Sequence, residues 1–380
     1  MRTLKPELKM KIERVKATPV KVPLKQGMTT KTAHGEHIVS PYVIIQIYTD
    51  DGYVGLGEAT VAPRWSGETS TSCRAVIKEL VEPELVGENP ADINKLCNIL
   101  DQVIKLNPFT KSGVEMALWD LAGKSAGKPL YELLGGKVRD EIPMKMVIGA
   151  FDVETSVSLA ERFLQWGVDC LKVKVGLDPD EDLARIQAVR ALAGPDIKIC
   201  LDANCGWPPA VARRMLRMLE PLDILFAEQP SAPHFDHEMA LIRTGTTIPI
   251  MADESVFTLH DAMETAINRS ADIISVYPGK NGGISQTLGI SYLAKGAGLR
   301  CHMGSNLELG IATAAMLHLA TSVSIIDSET YPGDLLGPLY HEGDLIDTAL
   351  ELGPKMAKVP EGPGLGVTLD NDQIERWKEV

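Results

Sequence analysis

The chain has 380 residues, of which 44% are hydrophobic and 23% are charged, as in an ordinary globular protein with one large core or two moderate ones. Its formal net charge of −13 argues against nucleic acid or an anionic membrane surface as a partner. The charge does not exclude a small anionic substrate, because a bound metal ion and nearby lysines dominate the local field.

Nothing in the sequence predicts export or insertion into a membrane. No apolar stretch approaches the roughly 20 residues that span a bilayer. The charged N-terminus, MRTLKPELKMKIERV, lacks the apolar region of a signal peptide. The six cysteines show no CxxC spacing, which is typical of reduced thiols in a cytoplasmic protein.

Residues 11–60 predict an antiparallel sheet. The segment KIERVKATPVKVPL alternates in polarity, and VSPYVIIQIYTDDGYVGLGEA predicts a hairpin that turns at Asp51-Gly52. Between them, the polar segment 25–37 is long enough to form a mobile flap, and a second loop, TVAPRWSGET, follows the hairpin. Helical segments are predicted over residues 69–133, with one helix ending at Gly127.

From residue 141 to about 330, strand-like and helical segments alternate, and strands that alternate with helices in this number predict a parallel barrel. A tail rich in glycine and proline follows and ends in a short helix. The eight predicted barrel strands are IPMKMVIGA, DCLKVKVG, IKICLDAN, DILFAEQP, IPIMADES, ADIISVYPG, LRCHMGS and VSIIDSE.

Three acidic residues stand at the ends of three successive predicted strands. Asp202, Glu228 and Asp253 are spaced 26 and 25 residues apart, the length of one strand, one helix and two loops. Equivalent positions in successive units meet at one mouth of a parallel barrel. A cluster of carboxylates repels itself unless a cation lies between them, and three hard oxygen ligands suit Mg²⁺.

One repeat upstream, Lys172 and Lys174 end another predicted strand. Residues at positions i and i+2 of a strand point to the same face, so both ammonium groups are expected at the barrel mouth. We expect the two lysines to depress each other's pKa, which produces an amine able to act as a base near neutral pH.

These motifs, in this order, resemble the enolase superfamily and, within it, the muconate-lactonizing-enzyme subgroup of the mandelate racemase/muconate lactonizing enzyme family. The matching residues are the KxK at Lys172 and Lys174 and the segments LDAN, EQP and ADES with the three acids. Further matches are GVEMALWDLAGKSAGKPLYELLGG, KNGGI and GDLLGPL.

The resemblance implies a fold, a cofactor and a chemistry. The fold class is α/β, a modified TIM barrel, (β/α)7β, over residues 139–340. An α+β N-terminal capping domain at 1–138 is completed by the C-terminal segment 341–380. One Mg²⁺ per subunit is expected on Asp202, Glu228 and Asp253, in a homo-oligomer. The shared reaction removes the proton next to the carboxylate of a small-molecule substrate, and the metal neutralises the enediolate that forms.

Two positions depart from the family pattern. Tyr277 stands where the subgroup carries a second catalytic lysine, and Lys280 is offset into the following loop. The mandelate-racemase pair of an aspartate and a histidine is also missing, because Gly304 occupies the histidine position and His302 lies two residues earlier. Since an ordinary tyrosine is a poor base at neutral pH, two-base racemisation is expected to be impaired.

The remaining site residues are assigned by position. Lys174 is expected to be the base and Lys172 its electrostatic helper. Glu308 or Asp334 could donate a proton or orient the substrate, and each could instead be structural. Asn204 and Glu254 flank the metal ligands and are expected to support them. The residues expected to contact substrate, which can equally be loop surface or core, are Lys31, His34, His37, Trp65, His302 and Asn306.

These expectations favour a dehydratase that eliminates water in syn fashion from a small hydroxy acid, such as a hydroxyproline or an acid sugar. A cycloisomerase of the muconate-lactonizing type is the next alternative, and an amino-acid or dipeptide racemase or epimerase is the third. A catalytically dead scaffold that only binds metal or ligand is the non-enzymatic alternative. The retention of both lysines and all three acids weighs against it.

Overall fold

The computed structural model describes residues 10–233 and 236–379. The first nine residues, where the sequence predicts no export signal, lie outside this description. Within the described ranges, no helix combines the length and the apolar composition needed to cross a membrane.

The N-terminal part contains a three-stranded antiparallel sheet with the order β1-β4-β5. The predicted β4–β5 hairpin is confirmed, with Gly52 in its turn at a φ of +89°. The predicted flap contains a second, two-stranded hairpin, formed by β2 and β3. The strands are β1 (Ile12–Pro23), β2 (Thr30–Thr32), β3 (Gly35–His37), β4 (Val39–Thr49) and β5 (Val54–Ala59).

Helices cover one face of this sheet, and the longest of them, α5, packs directly on β5. The contact is close because a Cβ at Gly57 would lie 1.8 Å from the carbonyl oxygen of Gly113. The helix ends at Gly127 with a φ of +65°, as the sequence predicts. The helices are α1 (Pro63–Ser66), α2 (Ser70–Val76), a π-helix (Ile77–Val81), α3 (Glu82–Leu85), α4 (Ile93–Val103), α5 (Pro108–Ala126) and α6 (Leu130–Leu133).

The second part is a parallel, seven-stranded sheet whose neighbours follow chain order, from β7 to β13. Outer helices connect the strands, so the predicted α/β barrel is confirmed. The seven strands are β7 (Met146–Ile148), β8 (Cys170–Lys174), β9 (Lys198–Asp202), β10 (Ile224–Glu228), β11 (Ile250–Ala252), β12 (Ile273–Val276) and β13 (Arg300–Met303). The short strand β6 (Ile142–Pro143) precedes them and pairs instead with residues 356–357 of the tail. The helices are α7 (Val153–Gln165), α8 (Pro179–Ala193), α9 (Pro209–Leu219), a 3-10 turn (Glu220–Leu222), α10 (Asp236–Thr244), α11 (Leu259–Asn268), α12 (Pro278–Asn281), α13 (Ile284–Gly296) and α14 (Gly310–Ser322).

The first and last predicted barrel strands are less regular than expected. The first is divided into β6 and β7, and the eighth, VSIIDSE, is reduced to a single parallel bridge between Cys301 and Ile326. The backbone turns after Ile326 because Asp327 accepts hydrogen bonds from the backbone N–H groups of Thr330 and Tyr331.

The C-terminal tail returns to the N-terminal sheet. An isolated bridge pairs Val20 with Lys378, and the N–H of Glu379 donates to the carbonyl of Pro19 at 2.9 Å. The tail elements are α15 (Gly337–Tyr340), β14 (Met356–Ala357) and α16 (Asn371–Trp377). The predicted boundaries of the capping domain, near residues 138 and 340, stay a prediction.

Candidate active site

A cavity of about 410 Å³ lies between the flap hairpin β2–β3 and the carboxyl ends of the barrel strands. Its floor carries the charged residues that the sequence singled out, and its roof comes from the capping domain. The polar and aromatic wall residues are Thr30, Thr32, His34, Glu36, His37, Ser40, Thr60, Arg64, Trp65, Lys172, Lys174, Asp202, Asn204, Glu228, Asp253, Ser305, Asn306 and Asp334.

The three acidic residues meet on the cavity floor because their strands are adjacent and in register. Asp202 ends β9 and is paired with Glu228 at the end of β10, while Asp253 directly follows β11. All three are at most 4% exposed. Burial, together with the negative charge of Asp202, raises the pKa of Glu228 to about 8.

Three lysines contact these carboxylates. Lys172 Nζ lies 3.0 Å from Glu228 and 3.4 Å from Asp202, and Lys174 Nζ lies 2.5 Å from Asp202. Burial acts to lower the pKa of Lys172, but the surrounding carboxylates raise it well above its ordinary value. The expectation that the paired lysines depress each other's pKa is therefore wrong for Lys172, because anionic neighbours outnumber the other lysine.

Lys280 is the third lysine, and its contact with an acidic residue escaped the sequence analysis. It lies in α12, which folds back over the end of β12, and its side chain is fully buried. Its ammonium donates to the Asp253 carboxylate at 2.6 Å and to the Asp253 and Ser275 carbonyls, both at 2.8 Å. The only sequence signal was a lysine three residues after Tyr277, which predicts no contact with an acidic residue unless the turn of α12 is known.

Tyr277 directly follows β12 and is fully buried. Its ring packs beside Gly304, and its hydroxyl has no hydrogen-bond partner among the described residues. Burial and the negative charges of Asp253 and Glu308 raise its pKa well above the ordinary value. Tyr277 does not line the cavity, so the structure gives its phenol no access to a substrate there.

Asp334 lies between two lysines. Its carboxylate is 2.7 Å from Lys172 Nζ and 3.1 Å from Lys145 Nζ. Burial alone would raise its pKa, but the two ammonium groups hold that pKa well below the usual range. Lys145 is a fully buried residue that the sequence analysis missed. Its ion pair with Asp334 positions that carboxylate, and Asp334 in turn forms an ion pair with Lys172.

His302 does not contact the cavity. It is fully buried on β13, with Nε2 2.5 Å from Lys145 Nζ. Burial and the charge of Lys145 lower its pKa well below the ordinary value. The prediction that His302 touches substrate is therefore corrected, because the side chain points into the barrel interior below the wall.

Glu308 is also behind the wall rather than in it. Its carboxylate accepts hydrogen bonds from the N–H of Asn306 at 3.0 Å and the hydroxyl of Ser305 at 2.5 Å. Burial raises its pKa to about 7. Glu308 thus shapes the loop after β13, and this loop presents Asn306 to the cavity.

A chain of hydrogen bonds runs from the barrel floor to the flap. Lys174 Nζ donates to Asn204 Oδ1 at 2.8 Å, and Asn204 Nδ2 donates to Glu254 Oε1 at 3.0 Å. Glu254 Oε1 also lies 3.1 Å from His34 Nε2, and the Trp65 ring packs against the His34 ring at 5.9 Å. Asn204 and Glu254 therefore connect Lys174 to the capping domain.

The flap contributes hydroxyl groups rather than the expected lysine. Thr30, Thr32 and Glu36 line the cavity, whereas Lys31 is not among the lining residues, which corrects the prediction that Lys31 contacts substrate. His37 lies on the wall, with Nε2 2.7 Å from the hydroxyl of Ser40. The sequence analysis missed Thr30, Thr32 and Ser40, because small hydroxyl residues in a loop carry no distinctive signal.

Two family models match the chain. The one described as "Mandelate racemase / muconate lactonizing enzyme, N-terminal domain" matches residues 11–135, and "Enolase C-terminal domain-like" matches residues 155–373. Among characterised relatives, the N-succinyl-L-Arg/Lys racemase of Bacillus cereus is 32% identical over 96% of this chain and 97% of its own. A chloromuconate cycloisomerase of Cupriavidus pinatubonensis is 34% identical over 88% of this chain and 90% of its own.

Solved structures give the same result. The muconate lactonizing enzyme of Pseudomonas fluorescens, complexed with muconolactone, superposes with a TM-score of 0.93 at 31% identity and covers 98% of this chain and 100% of that one. The dipeptide epimerase of Enterococcus faecalis, complexed with Mg and L-Leu-L-Tyr, superposes with a TM-score of 0.89 at 31% identity, over 94% of this chain and 99% of that one.

Proposed function

The chain belongs to the mandelate racemase/muconate lactonizing enzyme family of the enolase superfamily, and on that premise we propose that it is a Mg²⁺-dependent isomerase with one base. The proposed base is Lys174, which removes or returns the proton next to a substrate carboxylate. The observation that carries the proposal is that one face of the cavity presents a lysine amine while Tyr277, at the position of the second lysine, lies behind the wall.

The donor set fits Mg²⁺. Asp202, Glu228 and Asp253 offer three hard oxygen ligands at adjacent strand ends, which is the ligand type that this ion prefers. Burial and the negative charge of Asp202 raise the pKa of Glu228 to about 8, and a cation bound between the three carboxylates would favour their ionised forms. When bound, Mg²⁺ supplies electrostatic stabilisation of the negative charge that develops on the substrate carboxylate.

The contacts of the two lysines support different roles. Lys172 lies within 3.4 Å of three carboxylates, which keep its ammonium protonated and suit it to hold a substrate carboxylate. Lys174 contacts one carboxylate, Asp202, and the amide of Asn204. With fewer anionic contacts and a more open side chain, Lys174 is the better base.

Exchange between mirror-image substrates is disfavoured by the same geometry. Racemisation and epimerisation pass a proton from one face of the α-carbon to the other, which normally requires a base on each face. The buried Tyr277 has a pKa raised well above its ordinary value, so it is not a second base at neutral pH. We therefore place this chain apart from its racemase and epimerase relatives.

Cycloisomerisation, the reaction named in several relatives, needs one base alone. In the ring-opening direction Lys174 takes the α-proton, the C–H electron pair forms a C=C bond, and the ring C–O bond breaks with its electrons left on oxygen. In the ring-closing direction that oxygen adds to the C=C bond, and the Lys174 ammonium returns the proton to the α-carbon on the same face. Atoms balance within one substrate molecule, so no co-reactant is needed.

Syn dehydration of a small hydroxy acid is the second candidate. The observation in its favour is the row of polar residues along the cavity roof, where the hydroxyls of Thr30 and Thr32 can bind a hydroxylated substrate. Lys174 would take the α-proton, and the departing β-hydroxyl would take that proton from the Lys174 ammonium and leave as water. The relatives are isomerases, which ranks this reaction below cycloisomerisation.

The proposal is tested by proton NMR of the Mg²⁺-loaded protein in D₂O with muconates, muconolactones, hydroxyprolines, acid sugars and dipeptides. We expect deuterium at one face of the α-carbon for a single substrate class, and no exchange with Lys174→Ala. Interconversion of a lactone and its ring-opened acid identifies the cycloisomerase. Loss of water identifies the dehydratase, with a keto acid formed from an acid sugar and a cyclic imine from a hydroxyproline. Accumulation of the mirror-image substrate would overturn the one-base proposal.

A further inference from the structure

A second cluster of metal-ligating side chains lies beside the cavity and contains none of the proposed Mg²⁺ ligands. It consists of His34 in the flap hairpin, Cys205 in the loop after β9, and Glu254 in the loop after β11. One ligand atom from each residue lies within 4.8 Å of the other two. His34 Nε2 and Glu254 Oε1 already approach to 3.1 Å.

The chemistry of this cluster differs from that of the three carboxylates. An imidazole nitrogen, a thiolate and a carboxylate form the mixed N, S and O set that Zn²⁺ prefers, whereas Mg²⁺ prefers oxygen alone. Three protein ligands also leave a fourth tetrahedral position for water. The cluster therefore has the ligand number and type of an open zinc site.

An unpartnered carboxylate oxygen provides an independent observation. The side chain of Glu254 is 8% exposed, and its Oε1 accepts hydrogen bonds from His34 and Asn204. Its Oε2 is buried and has no hydrogen-bond partner among the described residues. A buried carboxylate oxygen without a partner is costly, and coordination to a cation would satisfy it.

We propose that His34, Cys205 and Glu254 form a second metal site, selective for Zn²⁺ over Mg²⁺, that fastens the flap hairpin to the barrel. On binding, the Cys205 thiol loses its proton to solvent as the sulfur–metal bond forms. No oxidation or reduction takes place. The site rests on these three residues and not on the proposed reaction.

The position of the site gives it a consequence for the cavity. His34 belongs to the flap, whose Thr30 and Thr32 line the cavity roof, while Cys205 and Glu254 belong to barrel loops. An ion bound to all three would hold the flap in the closed position. Zn²⁺ is therefore expected to slow the entry of substrate and the release of product. This effect would be separate from any replacement of Mg²⁺ by Zn²⁺ at the three carboxylates.

The test uses Co²⁺ as a spectroscopic substitute for Zn²⁺, added to the full chain in the presence of millimolar Mg²⁺. Thiolate coordination gives Co²⁺ an intense charge-transfer band in the near ultraviolet, which an all-oxygen site does not give. We expect the band to saturate at one equivalent and to vanish on addition of Zn²⁺. His34→Gln should weaken Co²⁺ binding at least tenfold, and Cys205→Ser should abolish the band.

Cys97→Ser is the matched control, because Cys97 is also a partly exposed free cysteine but lies in α4, outside the cluster. It should keep the parental band. An unchanged band in Cys205→Ser, or no thiolate band in the parental protein, would overturn the proposal. Should Cys205→Ser fail to fold, mass spectrometry of the alkylated parental protein decides. Zn²⁺ must protect Cys205 and not Cys97, and equal alkylation with and without Zn²⁺ refutes the site.

Discussion

Replacing Tyr277 by phenylalanine removes one hydroxyl from the barrel interior and leaves the ring in place. The hydroxyl is buried without a hydrogen-bond partner among the described residues, and such a group costs roughly 1–3 kcal/mol. Tyr277→Phe should therefore leave the free energy of unfolding unchanged or raise it by up to that amount. For a chain of this length the increase corresponds to a rise in Tm of roughly 1–4 °C.

Tyr340→Phe is the matched control, since Tyr340 is 1% exposed and its hydroxyl is bonded. That hydroxyl donates to the carbonyl of Val147 and accepts from the N–H of Val147, both at 2.9 Å. Removing it leaves two backbone groups without partners, so Tyr340→Phe should lower the free energy of unfolding by roughly 1–3 kcal/mol.

Both variants are measured by denaturant unfolding and by deuterium exchange at the substrate α-carbon. With one base, Tyr277→Phe should keep most of the parental exchange rate, because its phenol does not reach the cavity wall. Equal destabilisation of the two variants would refute the assignment of an unpartnered hydroxyl. Loss of exchange for just one of two enantiomers in Tyr277→Phe would identify a second base.

Three further predictions concern the metal ligands, the lysines and a buried histidine. Glu228→Gln should fold but lose Mg²⁺ affinity. The loss should exceed the roughly 10–100-fold that follows replacement of a residue that only supports a metal ligand. Unaltered affinity in titration calorimetry would contradict the ligand set. Lys174→Ala should lose α-hydrogen exchange, whereas Lys172→Ala should mainly weaken carboxylate binding, seen as a raised KM. Burial lowers the pKa of His318 to about 4, below its ordinary 6.5, so its contribution to stability is present above pH 6.5 and is lost as the pH falls through 4. In His318→Asn, the fall in the free energy of unfolding between pH 6.5 and pH 4 should be smaller by on the order of 3 kcal/mol. A fall as large as that of the parental protein would contradict this prediction.

The fold was largely predictable because its signals are local and periodic. Apolar segments that end in Asp202, Glu228 and Asp253 recur at one repeat length, and the parallel sheet brings these ends together in register. The Asp51-Gly52 turn and the end of α5 at Gly127 follow from backbone preferences. The eighth strand was the exception, because the side chain and carbonyl of Asp327 bond the following N–H groups and bend the backbone away from the ladder.

The site was predictable where strand ends carry it and unpredictable where distant segments meet. Lys145 and Asp334 are far apart in the chain, and only the folded barrel brings their side chains to 3.1 Å. The Asp334 carboxylate lies 2.7 Å from Lys172 Nζ and raises the pKa of Lys172, against the expectation from the KxK motif alone. The loop after β12 gave a similar surprise, since the short helix α12 returns Lys280 to Asp253.

The cavity roof was the least predictable part of the site. A polar flap was recognisable from composition, yet which of its side chains face inward depends on the register of the β2–β3 hairpin. In the folded hairpin, Thr30, Thr32 and Glu36 line the cavity and Lys31 does not. The sequence favoured a dehydratase because Tyr277 stands in place of a second lysine, whereas the relatives are cycloisomerases, racemases and epimerases.

The central claim is that a single base, Lys174, exchanges the α-proton on one face of the substrate. It is tested most directly by following the Mg²⁺-loaded protein with its substrate in D₂O and determining the configuration of the labelled α-carbon by NMR. The claim predicts deuterium on one face only, no mirror-image substrate, and no label with Lys174→Ala. Label on both faces, or exchange at the parental rate in Lys174→Ala, would contradict it.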